Sequence, residues 1–103
     1  MRALKNLNAA NDAITVKLPT DKLAVAGVQY PTGGTGTLVL EGTIDEVTWE
    51  QIALYPSDDM ANPVASIAAA GHAQADVSGF HSVRLRKSAS TGACIAGLVI
   101  NHN

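Results

Sequence analysis

Disulfides, basic charge, aromatic rings and long apolar runs are all scarce in this chain, and each scarcity excludes something. Cysteine occurs once, at Cys94, so no internal disulfide can brace the fold and the redox compartment stays undetermined. The thiol lies in an apolar run, where a small buried side chain is the favoured reading over a reactive one. Charged residues make up only 16% and sum to a formal net charge of -2, which gives no general attraction to phosphate backbones. Aromatics are 4%, so a core must be built from Val, Leu, Ile and Ala. No segment approaches the ~20 apolar residues of a membrane span, and the opening residues never develop the apolar stretch of a secretory leader. The expectation is a soluble protein made without a removable leader, with neither nucleic acid nor membrane among its partners.

What is present is strand patterning. Hydrophobic residues are 47% of 103, too many for a disordered tail. A single domain of this size buries roughly 60 to 70% of the surface of its unfolded chain. In residues 36–49, GTLVLEGTIDEVTW, Leu38 and Leu40 share one face while Thr37, Val39 and Glu41 share the other, the period that a pleated strand imposes. Residues 44–47 turn the chain. Ile52 and Leu54 then alternate with Gln51, Ala53 and Tyr55 in an antiparallel return closed by Pro56, Ser57, Asp58 and Asp59. Earlier, Ile14, Val16 and Leu18 oppose Thr15 and Lys17 in a strand ended by Pro19. Residues 23–30 are small or apolar on both faces, which predicts a central strand covered on both sides. Val83 and Leu85 oppose Arg84 and Arg86, and after a turn at Ser90, Thr91 and Gly92 the last strand, 93–100, is apolar on both faces and should be the most buried.

Three stretches are less regular. Residues 1–11 hold three asparagines, two basic residues and isolated leucines, which suits an extended arm that a partner orders. Pro31, Thr32, Gly33, Gly34, Thr35 and Gly36 read as a hairpin turn, because a phosphate-cradling loop would need a G-x-x-x-x-G-K-[ST] pattern and a following helix. The alanine-rich 62–75 segment has helix propensity, but two small-residue strands joined near Gly71 and His72 are favoured because the flanking pattern is strand throughout. The expected architecture is all-β: an antiparallel β-sandwich or jelly roll of about eight short strands, with a 1–11 arm and a single domain over 12–103.

Chemistry is hard to find. His72, His81 and His102 lack the paired spacings of a zinc site and read as exposed turn residues. The acid pairs Asp45/Glu46 and Asp58/Asp59 fall in predicted turns, where carboxylates cap backbone amides, with calcium as the lesser option. No nucleophile signature occurs, so no catalytic, cofactor or metal residue is assigned. Trp49 is read first as a plug at one end of the core and second as a sugar-stacking surface; Tyr55 is a further stacking candidate. Arg84 and Arg86 either meet acidic groups of a partner or guard an edge against aggregation.

The stretches GTLVLEGTIDEVTWEQIAL and GFHSVRLRKSASTGACIAGLVI resemble a pattern of small structural proteins of tailed bacteriophages and prophages. There, a G-T-hydrophobic-x-hydrophobic-E-G-S strand precedes D-G-x-x-W, and a G-x-x-x-V-R-V-R strand precedes an S-x-x-S/T-G-x turn. Gly36, Thr37, Glu41 and Gly42 match the first part, Asp45 and Trp49 the second, Gly79 and residues 83–86 the third, and Thr91 and Gly92 the fourth. Thr43 and Glu46 depart from it, Glu46 standing where glycine usually tightens the turn. The resemblance implies a β-sandwich in a virion, either a capsid decoration protein or a module of a tail, baseplate or connector. Its implied partners are the major capsid protein or other virion proteins, with copies of itself as a homo-oligomer. A decoration protein would use Arg2, Leu4, Lys5 and Leu7 of the arm, with Arg84 and Arg86, as contacts.

Overall fold

Alternation of side chains builds the molecule from its first strand to its last. The computed structural model describes residues 2–18, 23–89 and 92–102. Its described residues form nine strands and no helix: β1 (Arg2–Asn6), β2 (Ala13–Lys17), β3 (Ala24–Tyr30), β4 (Thr37–Thr43), β5 (Glu50–Ile52), β6 (Tyr55–Pro56), β7 (Gly71–Asp76), β8 (Ser82–Ala89) and β9 (Ile95–His102). They make two antiparallel sheets, one in the order β1-β9-β3-β7-β6 and one in the order β2-β8-β4-β5. Ala24, Ala26, Val28 and Tyr30 of β3 and Ala96, Leu98 and Ile100 of β9 meet Leu38 and Leu40 of β4 and Val83 and Leu85 of β8 in one shared core. The all-β sandwich expected from periodicity is therefore the fold.

Several local expectations need correction. The N-terminal segment is no free arm: β1 pairs along its whole length with β9, from Arg2 opposite Val99 to Asn6 opposite Ile95. Leu7 is then fully buried in the core. Its isolated leucines hid this, because an edge strand needs only one buried anchor and a ladder of backbone hydrogen bonds. The glycine loop at 31–36 is no hairpin either, since β3 and β4 lie in different sheets and the loop carries the chain between them. In 62–75 only β7 is a strand, beginning at Gly71; before it, Val64 and Ile67 make isolated bridges to Leu54 and Leu38. Finally, β3 is central but covered on one face only. Val25 and Gln29 are exposed on the other, as is Ile95 of β9. Small side chains on an outer face look like a second buried face when only the sequence is read. Met1, Pro19, Ser90, Thr91 and Asn103 lie outside the described residues.

Strand period also places a charge in the interior. Val83 and Leu85 point inward on β8, and so does Lys87, which is fully buried. Its ammonium donates to the Leu7 carbonyl at 3.2 Å, to Thr35 Oγ1 at 3.3 Å and to the Gly92 carbonyl. Three separate segments thus converge on one cation. Around it Leu7 N–H donates to the Cys94 carbonyl and Gly92 N–H to the Asn8 carbonyl. A cation so buried is tolerable only when its donors are used, and here each finds an oxygen.

Lys87→Met is expected to keep the fold but to leave buried carbonyls without a donor, costing about 1–3 kcal/mol in urea unfolding. Amide exchange should quicken first at Leu7 and Gly92. Unchanged stability with unchanged exchange would show that the ammonium is not a tie.

Candidate interaction surfaces

On the outside of the four-stranded sheet, β4 and β8 run side by side with Glu41 opposite Arg84 and Val39 opposite Arg86. This register puts one carboxylate between two guanidinium groups. Arg84 Nε donates to Glu41 Oε1 at 2.7 Å, and Arg86 donates through Nε to Oε1 at 2.9 Å and through Nη2 to Oε2 at 3.2 Å. Arg86 Nη1 also reaches Asn11 Oδ1 at 3.0 Å. The Arg84 guanidinium lies over the Trp49 ring, 4.1 Å from its centroid. The Glu41 side chain is only 12% exposed. Hydrogen bonds from Arg86, and then from Arg84, hold its carboxyl below the ordinary glutamate range.

The sequence readings of these residues change accordingly. Trp49 is half-buried on an outer face, outside the core cluster, because the guanidinium beside it supplies a better partner for the indole than an already filled interior of aliphatic side chains. Arg84 and Arg86 sit on β8, which has neighbours on both sides, so they guard no edge. The motif residues Glu41, Trp49, Arg84 and Arg86 form one cluster, whereas Gly42 serves the opposite face of β4, where a Cβ would lie 2.6 Å from the Phe80 ring.

Between β4 and β5 the chain makes a stiff turn. Asp45 Oδ1 accepts from the Val47 and Thr48 amides at 2.9 and 2.8 Å, and Thr43 Oγ1 donates to the Thr48 carbonyl at 2.7 Å while accepting from the Glu46 amide at 2.9 Å. The Thr48 and Val47 amides hold the Asp45 carboxyl below its usual range. Glu46 adopts φ 63°, the left-handed conformation that explains why glycine is usual at this point of the pattern. The turn carries two large apolar side chains into solvent, Ile44 at 74% and Val47 at 81% exposure.

The outside of the five-stranded sheet has a different character. Here Gly27 and Gly97 leave a trough of about 360 Å³, bounded on one side by Arg2 and Leu4 and on the other by His72 and Gln74. Leu4, 59% exposed, folds toward Gly97, where any Cβ would lie 3.1 Å from its Cδ2. Ile95 and Val25 extend this apolar surface. Tyr55, 38% exposed, stands at the far edge on β6. Trp49 precedes β5 of the four-stranded sheet whereas Tyr55 is on β6 of the five-stranded one, so the two rings lie on different parts of the surface.

Of the predicted arm contacts, Arg2 and Leu4 are exposed, Lys5 donates to the Ala13 carbonyl at 3.1 Å, and Leu7 is core and out of a partner's reach. His72 lies on β7 and not at a turn, and His81 Nε2 is 3.4 Å from Glu46 Oε1. The backbone of His102 ends β9. Asp59 accepts from the Asn62 amide group. No group of three His, Cys, Asp or Glu that could hold a metal occurs among the described residues. Cys94 is buried, and burial pushes its thiol up. Sequence reasoning missed Lys87, the trough and the exposed tip. Extending the Val83–Leu85 alternation by one step would have placed Lys87 inward.

With this geometry in view, the fold has solved relatives. The chain is similar to the SPBc2 prophage-derived protein YomS, with TM-score 0.64 and 10% identity over 98% of this chain and 96% of that one. It is also similar to a protein of the Bacillus endospore appendages that form disulfide-linked pili, with TM-score 0.54 and 14% identity over 97% and 83%. A third likeness is to the Drosophila NLP core, with TM-score 0.53 and 16% identity over 100% and 98%. At these identities the likeness is one of fold. No family model matches the sequence, and no curated protein is similar to it.

The ion cluster should be visible in acid. The Glu41 carboxyl binds its proton less tightly folded than unfolded, so its contribution is complete above the ordinary glutamate range and is lost as pH falls through the lower folded value. Glu41→Gln should cost about 1–2 kcal/mol at neutral pH and flatten the acid limb of the stability curve. An unchanged acid limb would mean the cluster contributes nothing.

Proposed function

We propose that the chain is a structural protein of a bacteriophage particle, most concretely a decoration protein that binds the outer capsid surface and stabilises the shell. The observation that carries this reading is the nature of the two outer faces. On one, Glu41, Arg84 and Arg86 are engaged with each other; on the other, apolar side chains and a shallow trough stand open. Such a body is suited to adhering to neighbours. The prophage origin of one fold neighbour and the phage-like motif, now seen as the Glu41–Arg84–Arg86–Trp49 cluster, support the virion setting. The strand orders β1-β9-β3-β7 and β2-β8-β4-β5 support a jelly-roll reading, an architecture used by capsid proteins. In this reading the protein is a binder and no catalyst, its location is the virion after synthesis in the host cytoplasm, and its partner is the major capsid protein.

The same surfaces would serve a tail, baseplate or head-to-tail connector, and the appendage protein among the fold neighbours favours assembly roles in general. Glycan binding rests on Tyr55, since one face of Trp49 is already occupied by Arg84.

Mass spectrometry of purified particles should find the chain in many copies per virion. Particles assembled without it should form but rupture at lower temperature. Absence from particles would reject the proposal, and presence at a few copies would move it to the tail or connector.

A further inference from the structure

Two parts of the surface are complementary in charge and in apolar character. One is the 44–47 tip, which holds Ile44 and Val47 in solvent on a turn fixed by Asp45 and Thr43, so little ordering entropy remains to be lost on docking. Its charges are acidic: Asp45, which caps the turn's own amides, Glu46, which lies beside His81, and Glu50 just after. The other is the trough over Gly27 and Gly97. Its walls offer a guanidinium from Arg2, the His72 imidazole, and carboxamides from Gln29 and Gln74, with Leu4 and Val99 as apolar surface. No carboxylate lines it. An acidic knob with two branched aliphatic side chains thus matches a basic, apolar-floored hollow.

We propose that the 44–47 tip of one copy seats in the Gly27/Gly97 trough of a second copy, a head-to-tail contact of this chain with itself. The tip joins β4 to β5 in the four-stranded sheet, whereas the trough is on the outside of the five-stranded one, so the two surfaces of a contact are different. Such a contact is heterologous. A pair so joined keeps one free tip and one free trough, on opposite copies, and association continues until a ring closes or a filament grows. The contact needs no capsid and stands apart from the virion reading.

Light scattering on the purified full-length chain over a concentration series tests it. The wild type should exceed the mass of one chain, less so at high salt because opposite charges meet. Ile44→Ser with Val47→Ser removes the knob from an exposed turn. Gly27→Val fills the trough, and its Cβ would meet only Val99 Cβ at 3.8 Å, an ordinary contact. Each variant should associate roughly tenfold or more weakly, the loss of about 1.4 kcal/mol. The decisive measurement is their equimolar mixture: one has an intact trough and the other an intact tip, so the mixture should give a species of two chains and nothing larger. Circular dichroism checks folding, and Arg2→Glu replaces Gly27→Val should the latter misfold. A monomeric wild type at every concentration, a variant that keeps the wild-type mass, or a mixture that stays monomeric would each overturn the proposal. Because no particle is present, none of these outcomes bears on whether the protein belongs to a virion.

Discussion

The interaction on which most of the structure depends is the buried ammonium of Lys87. Strand ladders hold each sheet together along its length, but they do not tie loops across the end of a sandwich. Lys87 does so by drawing oxygens from the end of β1, from the 31–36 crossover and from Gly92. A hydrophobic side chain at the same place would fill the space without satisfying the carbonyls that end there. The tie matters beyond its own neighbourhood, because β1 supplies Arg2 and Leu4, one wall of the trough. A wall made from an edge strand is only as steady as what anchors that strand, and its anchors are the ladder to β9, the Leu7 side chain and this cation.

The two outer faces show how one architecture divides its labour. On the four-stranded sheet, polar side chains long enough to reach one another are in register and close into a partly buried ion cluster, which adds rigidity and leaves little charge to offer. On the five-stranded sheet, Gly27 stands between Val25 and Gln29 on the outward face of β3 and Gly97 between Ile95 and Val99 on that of β9, and the missing side chains create relief. Surface shape here is produced by absence: Gly27 and Gly97 are adjacent on neighbouring strands across the Gln29–Gly97 and Gly27–Val99 pairs.

Much of this was legible in the sequence, for physical reasons. Alternation identified β2, β3, β4, β8 and β9 because a half-buried strand repeats every two residues whatever its neighbours are. The turn at 44–47 was legible because Asp45 has the short carboxylate that caps amides two and three residues ahead. Among the residues that the resemblance selected, Glu41, Trp49, Arg84 and Arg86 form one contact network, although its meaning as packing chemistry required the register of β4 against β8. Besides Lys87 and the exposed tip, three things escaped. The β1 strand has no alternation of its own to display, since its partner is at the opposite end of the chain. A glycine or alanine gives no sign of which side of a sheet it faces, so β3 and β9 looked doubly covered. The trough arises from residues on four strands and has no local signature at all.

The placement of β9 has a consequence for how the polypeptide acquires its shape on the ribosome. This strand lies between β1 and β3, so the five-stranded sheet has a gap through its middle until residues 95–102 have emerged. The ammonium tie is likewise incomplete until Gly92 arrives. Before that moment β1 and β3 each present an open edge, and the nascent chain depends on long-range pairing that is slow to form. Completion of the five-stranded sheet therefore waits for β9, and the interval before that strand inserts is when holdase chaperones would have most to shield.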